Sequence, residues 1–113
     1  MTSLRDIRDH FGFMNTGRIE EYLGDHPQLM EHLLAFLPIA KKHLPEAGTP
    51  QLKHQDLGFL DGDLMIYLPL PENIATDYAR RQLALIDREW WLPLPVNVRS
   101  ILLADVKWNP DRA

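Results

Sequence analysis

Apolar side chains recur every three or four residues in two long segments of the chain, the spacing of a helix that buries one face. The first segment covers residues 29–44 and contains Pro38, which is expected to kink or divide the helix because proline lacks a main-chain donor. The second covers residues 75–90 and must end before Pro93. Two amphipathic helices are therefore predicted.

Between and after these helices the period of the apolar positions changes to that of strands. Residues 51–60 and 63–70 form two such segments, and the Asp61-Gly62 pair between them is typical of a tight hairpin turn. Residues 96–108 alternate between apolar and polar side chains, which predicts a further strand at the C-terminal side of the second helix.

The order of these elements, helix, hairpin, helix and strand, predicts an α+β fold. We expect a three-stranded, mainly antiparallel sheet, made of the hairpin and the C-terminal strand, with helices packed on one face. Residues 1–24 have shorter helical patterns and are predicted to form an N-terminal helical extension, and residues 25–113 a single α+β domain. The extension either covers the domain or docks on a second subunit or a partner.

Composition narrows the class of protein. A chain of 113 residues with 45% apolar side chains has the size and core of one globular domain. The net charge of −4 disfavours nucleic acid as a partner, because phosphate binding needs clustered lysine and arginine. The absence of cysteine excludes disulfides, thiolate nucleophiles and cysteine-bound zinc. No apolar run is long enough for a membrane span, and the charged N-terminus lacks the apolar stretch of a signal peptide, so no membrane partner is predicted. The lack of cysteine fits a cytoplasmic protein, which is the predicted location.

Two adjacent tryptophans stand at the predicted end of the second helix. Adjacent helical residues point about 100° apart, so Trp91 faces the rim if Trp90 continues the buried stripe. In one interpretation both rings pack against the closing strand, with their indole N–H groups bonded to main-chain carbonyls. In the other, Trp90, Trp91, Pro93 and Pro95 form a surface that binds a partner, since partly exposed tryptophan is enriched at binding hot spots.

A second candidate group lies on the predicted hairpin. His54 and Asp56 share one strand face, and Tyr67 on the next strand completes an alternative ligand-binding set. Nothing in the sequence fixes a third metal ligand, so no metal site is predicted. We also find no serine in a glycine-rich elbow and no phosphate-binding glycine motif, so neither a catalytic residue nor a cofactor is predicted.

The segments "FLPIAKKHLPEAG" and "LALIDREWW", with an aliphatic hairpin strand between them and a strand after them, are similar to segments of a known family. The chain resembles a family of small uncharacterised bacterial proteins over roughly residues 30–108. The likeness rests mainly on Asp87, Trp90 and Trp91 in an acidic-x-x-Trp-Trp helix end, and residues 1–24 depart from it. Some members are encoded near toxin–antitoxin or other paired genes, and the resemblance implies no activity.

Two functions follow as hypotheses. The first is a non-catalytic protein-interaction module that either self-associates as a dimer or binds a companion protein; it rests on the missing catalytic groups and the Trp-Pro segment. The alternative is a small enzyme or ligand-binding domain with a pocket near the hairpin strands. A concave pocket containing His54, Asp56 or Tyr67 would favour the alternative.

Overall fold

The structure is a computed structural model that describes residues 3–55 and 63–108. The described residues form five α-helices, a short π-helical turn and four strands. In chain order these are α1 (Leu4–His10), β1 (Gly12–Phe13), α2 (Thr16–Asp25), α3 (Leu29–His43), β2 (Gln51–Gln55), β3 (Asp63–Leu70), α4 (Thr76–Ile86), the π turn (Asp87–Trp91), α5 (Val96–Arg99) and β4 (Leu102–Trp108).

The four strands form one mixed sheet in the order β1-β2-β3-β4. Strands β2 and β3 are antiparallel, as the hairpin pattern predicts, whereas β1 is parallel to β2 and β4 is parallel to β3. The α+β class is confirmed, and the prediction of a three-stranded, mainly antiparallel sheet is wrong in this detail. Helices connect the two strands of each parallel pair and return the chain to the same end of the sheet, which gives parallel pairing.

The segment 96–108 is not one continuous strand. Its first residues form α5, and the main-chain carbonyl of Pro95 accepts hydrogen bonds of 2.9 Å from the N–H groups of both Val98 and Arg99. The strand begins only at Leu102. The alternation of apolar side chains therefore indicated the strand correctly over its second part, while the proline before Val96 starts a helical turn.

The core lies on one face of the sheet. Along β3 the side chains alternate between fully buried and partly exposed positions, and Leu64 and Ile66 belong to the buried set whereas Met65 and Tyr67 do not. Helix α3 covers the buried face and continues through Pro38 as one helix. No helix within the described ranges has the length and apolar character needed to cross a membrane.

The N-terminal residues contribute to the same core. Ser3 caps α1 in a reciprocal arrangement with Asp6, which satisfies main-chain donors at the start of the helix. Ile7 of α1 and Ile19 of α2 are fully buried in the core cluster, and β1 between these helices adds the fourth strand. The first 24 residues, predicted as a helical extension, thus supply a strand as well as two helices.

A side chain extends the pairing of β1 with β2. The amide of Asn15 donates from Nδ2 to the main-chain carbonyl of His54 at 3.0 Å, and its Oδ1 accepts from the His54 N–H at 3.1 Å. An asparagine amide has the same donor and acceptor groups as a peptide bond. Asn15 therefore replaces the next residue of β1 as the partner of β2 beyond the two-residue strand.

Candidate functional site

Trp90 is part of the core. Only 3% of its surface is exposed, and its ring packs edge-on against Phe36 of α3 with ring centroids 4.8 Å apart. Its indole N–H donates to the main-chain carbonyl of His32 at 2.8 Å. Trp90 thus joins the end of the second long helix to α3, and its ring is not available at the surface.

Trp91 is half-buried and lies against the edge of the sheet. Its indole N–H donates to the main-chain carbonyl of Leu102 at 2.7 Å, and the Arg99 guanidinium lies 5.7 Å from the ring centroid. Every second residue of β4 directs its main-chain groups toward β3, and the residues between them direct theirs outward. The Leu102 carbonyl is one of the outward groups, so without Trp91 it would have no partner strand. Val106 is another residue of β4 whose main-chain groups point outward, and its N–H donates to the Asp105 side chain at 2.8 Å.

The π turn sets the direction of Trp91. The Leu92 N–H donates to the Asp87 carbonyl, five residues earlier, at 2.8 Å. Such a wider turn inserts an extra residue into the helical path and frequently occurs at functional sites. Burial raises the pKa of the Asp87 carboxyl, and the nearby carboxylate of Asp105 raises it further. The turn that ends at Trp91 therefore also contains a carboxyl that ionises less readily than an ordinary one.

Beyond the π turn, the residues Leu92, Pro93, Pro95 and Val96 are all exposed, and we call them the Pro-loop surface. The exposed fraction is 53% for Leu92 and 72% for Val96, large values for apolar side chains. Between them Leu94 is buried, and its N–H donates to the Trp91 carbonyl at 3.0 Å. An anchored residue in the middle and a helical turn behind it hold this surface in place.

His54 and Tyr67 of the alternative ligand-binding set are not brought together. The backbone of His54 is paired with that of Leu64, so its side chain shares the core face of the sheet and is 8% exposed, with its ring 4.6 Å from that of Tyr22. Tyr67 lies on the opposite face, where the Lys107 ammonium is 5.5 Å from its ring centroid. Asp56 and the Asp61-Gly62 turn lie outside the described residues. Histidine and tyrosine therefore cannot line one pocket.

A polar junction that the sequence did not indicate lies between the end of α3 and the π turn. The Glu89 carboxylate accepts from Lys42 Nζ at 3.0 Å and from His43 Nε2 at 2.7 Å. Both bonds lower the pKa of the Glu89 carboxyl below its ordinary value, and the bond from His43 has the larger effect. In the first turn of α4, the Tyr78 hydroxyl donates to Glu46 at 2.9 Å, which raises the pKa of Tyr78. The hydrogen-bonded residues of the junction are 46 or 47 positions apart in the sequence, so sequence spacing gives no signal of the junction.

From the lowered pKa of Glu89 we expect the folded chain to lose stability in acid. A carboxyl with a pKa lower in the folded than in the unfolded chain stabilises the fold above its unfolded pKa, and this contribution is lost as the pH falls through the folded pKa. We expect Glu89→Gln to be less stable than wild type at neutral pH, with the difference disappearing on acidification. Urea unfolding between neutral pH and about pH 3 measures this.

Glu21→Gln is the matched control, because it removes a carboxylate exposed on α2 and far in sequence from the junction. Its difference from wild type should stay small across the same range. A Glu89→Gln variant whose deficit is equally large at acidic and neutral pH would contradict the assigned role of the ionised carboxylate.

The structure also contains a pocket of about 290 Å³ between α1, the end of α3, the loop after it and β3. Its lining is mainly aliphatic, with His10 and Lys41 as the titratable residues. In contrast, within residues 3–55 and 63–108 no three histidine or carboxylate side chains come together in a way that could hold a metal ion. The pocket combines three segments that are separate in the sequence, namely α1, the end of α3 with the loop after it, and β3.

Comparisons with known proteins find no match: no family model fits the chain, and no curated protein or solved structure is detectably similar to it. The resemblance to small bacterial proteins with an acidic-x-x-Trp-Trp helix end therefore stays a prediction.

Proposed function

We propose that this protein is a non-catalytic protein-interaction module that acts through its Pro-loop surface. The observation that carries the proposal is the exposure of Leu92 and Val96, at 53% and 72%, on a segment that the fold holds in one conformation. Such a module needs neither a cofactor nor a metal. We place it in the cytoplasm, as its lack of cysteine suggests.

Rigidity makes this surface suited to binding. Ordering a loop on association costs free energy, and a loop that is already fixed avoids most of that cost. The buried Leu94 anchors the segment, and the Pro95 carbonyl is held by two N–H groups of α5. Both prolines also restrict the backbone. The four exposed apolar side chains are therefore presented in a nearly fixed arrangement.

The simplest occupant of the surface is a second copy of the same chain. Residues 92–96 carry no charged side chain, so two copies can bring this segment together without opposing like charges, even though each copy has a net charge of −4. A two-fold dimer uses the same patch on both subunits, which suits a self-complementary apolar surface. A companion protein with an apolar surface is the other possible occupant.

Sedimentation experiments over a range of concentrations test the proposal. We expect wild type to self-associate and the double variant Leu92→Glu/Val96→Glu to associate at least about ten-fold more weakly, because two carboxylates from each chain would have to be buried in the interface. Met14→Glu is the matched control, since Met14 is also an exposed apolar residue, at 44%, but belongs to the opposite edge of the sheet.

Two outcomes would contradict self-association: a wild-type monomer at all concentrations, or equal weakening by the double variant and by Met14→Glu. A purified companion protein that binds wild type and Met14→Glu but not the double variant would show that the Pro-loop surface binds that companion rather than a second copy. A companion that binds all three equally would overturn the proposed surface altogether.

A further inference from the structure

The pocket between α1, α3 and β3 has the character of a binding site. Its volume is about 290 Å³, and its walls include Leu37, Ala40, Leu44 and Leu68. The last three of these are at least 96% buried, so they form the floor of the pocket and present only a small part of their surface to it. A pocket of this size, at the lower end of the usual ~300–1,000 Å³ range, suits a small molecule with an apolar body.

Both titratable residues of the lining can carry positive charge. They are His10 and Lys41, and among residues 3–55 and 63–108 no aspartate or glutamate lines the pocket. The His10 ring is held by a bond of 2.9 Å between Nδ1 and the main-chain carbonyl of Asp6. Because a carbonyl oxygen only accepts, Nδ1 carries the hydrogen of this bond, and Nε2 donates to an anion when the ring is doubly protonated.

Two neighbouring lysines differ in their partners. Lys42 is bonded to the Glu89 carboxylate at 3.0 Å, whereas in the part of the chain that the structure describes no carboxylate lies within ion-pair distance of Lys41. A protein with a net charge of −4 thus has an exposed ammonium group beside an apolar pocket, with no neutralising carboxylate among the described residues. This arrangement is complementary to an anion that carries an apolar tail.

We propose that the pocket binds a small carboxylic acid with an unbranched apolar tail. The tail occupies the aliphatic interior, and the carboxylate lies at Lys41 and His10. This binding is independent of the Pro-loop surface, which lies on residues beyond the π turn. The protein would then bind a medium-chain acid as well as another protein molecule.

Isothermal titration of the full chain with butanoate, hexanoate and octanoate tests the tail. Each added methylene that enters the pocket should strengthen binding about four-fold, the ratio that corresponds to ~0.8 kcal/mol per buried methylene. The gain should stop for tails longer than the pocket, as in hexadecanoate. Octanamide keeps the tail and removes the charge, and it should bind about three- to five-fold more weakly than octanoate, the range of an exposed ion pair.

Variants of the protein test the site. We expect Lys41→Glu to weaken octanoate binding about five-fold or more. Arg80→Glu reverses the charge in the same way at an exposed position of α4 and should leave octanoate binding unchanged. Ala40→Leu places a larger side chain in the pocket and should abolish binding of octanoate but spare that of butanoate. Circular dichroism establishes that each variant folds, and Lys41→Glu remains decisive if Ala40→Leu does not.

The proposal is overturned if octanoate gives no saturable binding to wild type. It is also overturned if Lys41→Glu and Arg80→Glu bind octanoate equally well, because the carboxylate would then lie elsewhere. Octanamide binding as tight as that of octanoate would exclude an acid as the ligand class. Failure of the Pro-loop variants to change association leaves each of these readouts unaffected.

Discussion

Replacing Trp90 with alanine is expected to lower the free energy of unfolding by about 3–5 kcal/mol, the usual loss when a large aromatic side chain is removed from a core. The ring is 97% buried and packs edge-on against Phe36, and its N–H is bonded to the His32 carbonyl. Removing it opens a cavity between α3 and the π turn. Urea unfolding followed by circular dichroism measures the change.

Trp90→Phe is the control that separates packing from hydrogen bonding. It keeps an aromatic ring beside Phe36 and removes the indole N–H, and the His32 carbonyl lies inside α3, where a helical bond remains available. We expect a clearly smaller loss than for alanine. If Trp90→Ala and Trp90→Phe lose the same free energy, the hydrogen bond rather than the buried ring stabilises this contact.

Replacing Trp91 with phenylalanine is expected to lower the free energy of unfolding by about 1–3 kcal/mol, the usual penalty for leaving a partly buried polar group without its partner. The Leu102 carbonyl on the outward side of β4 loses its 2.7 Å bond, while a ring remains beside the Arg99 guanidinium. The loss should be smaller than that for Trp90→Ala, since Trp91 is only half-buried. The same urea unfolding experiment measures it.

Self-association is the control for this variant. Trp91→Phe should leave it unchanged, because the proposed interface consists of exposed side chains that follow Trp91. A variant that keeps wild-type stability and loses association would reverse the assigned roles, with Trp91 acting as a binding residue rather than as the partner of Leu102.

Much of the fold could be predicted because long elements repeat their pattern several times. The stripe in residues 29–44 corresponds to α3, and alternation in residues 63–70 correctly separates Leu64 and Ile66 from Tyr67. The strand β1 could not be predicted, since two residues contain no period. Without β1, the parallel pairing with β2 was not apparent. The direction of β4 was misjudged because the pattern within a strand is the same for either direction.

The candidate site was accessible from the sequence only in part. Adjacent helical positions diverge in direction, which explains why Trp90 is buried and Trp91 reaches the rim. The exposure of Leu92 and Val96 could not be derived, because both are apolar residues next to prolines and nothing local distinguishes them from the buried Leu94. Contacts between distant segments, such as the polar junction and the aliphatic pocket, exist only after folding.

The side chains bonded to the outward main-chain groups of the sheet have a consequence at high protein concentration. An open strand edge offers N–H and C=O groups that strands from other molecules can pair with, which is how cross-β aggregates grow. On β2 the Asn15 amide occupies both groups of His54, and on β4 the side chains of Trp91 and Asp105 occupy one group each. At these positions fibre growth must first displace an internal hydrogen bond, which protects the folded chain from aggregation.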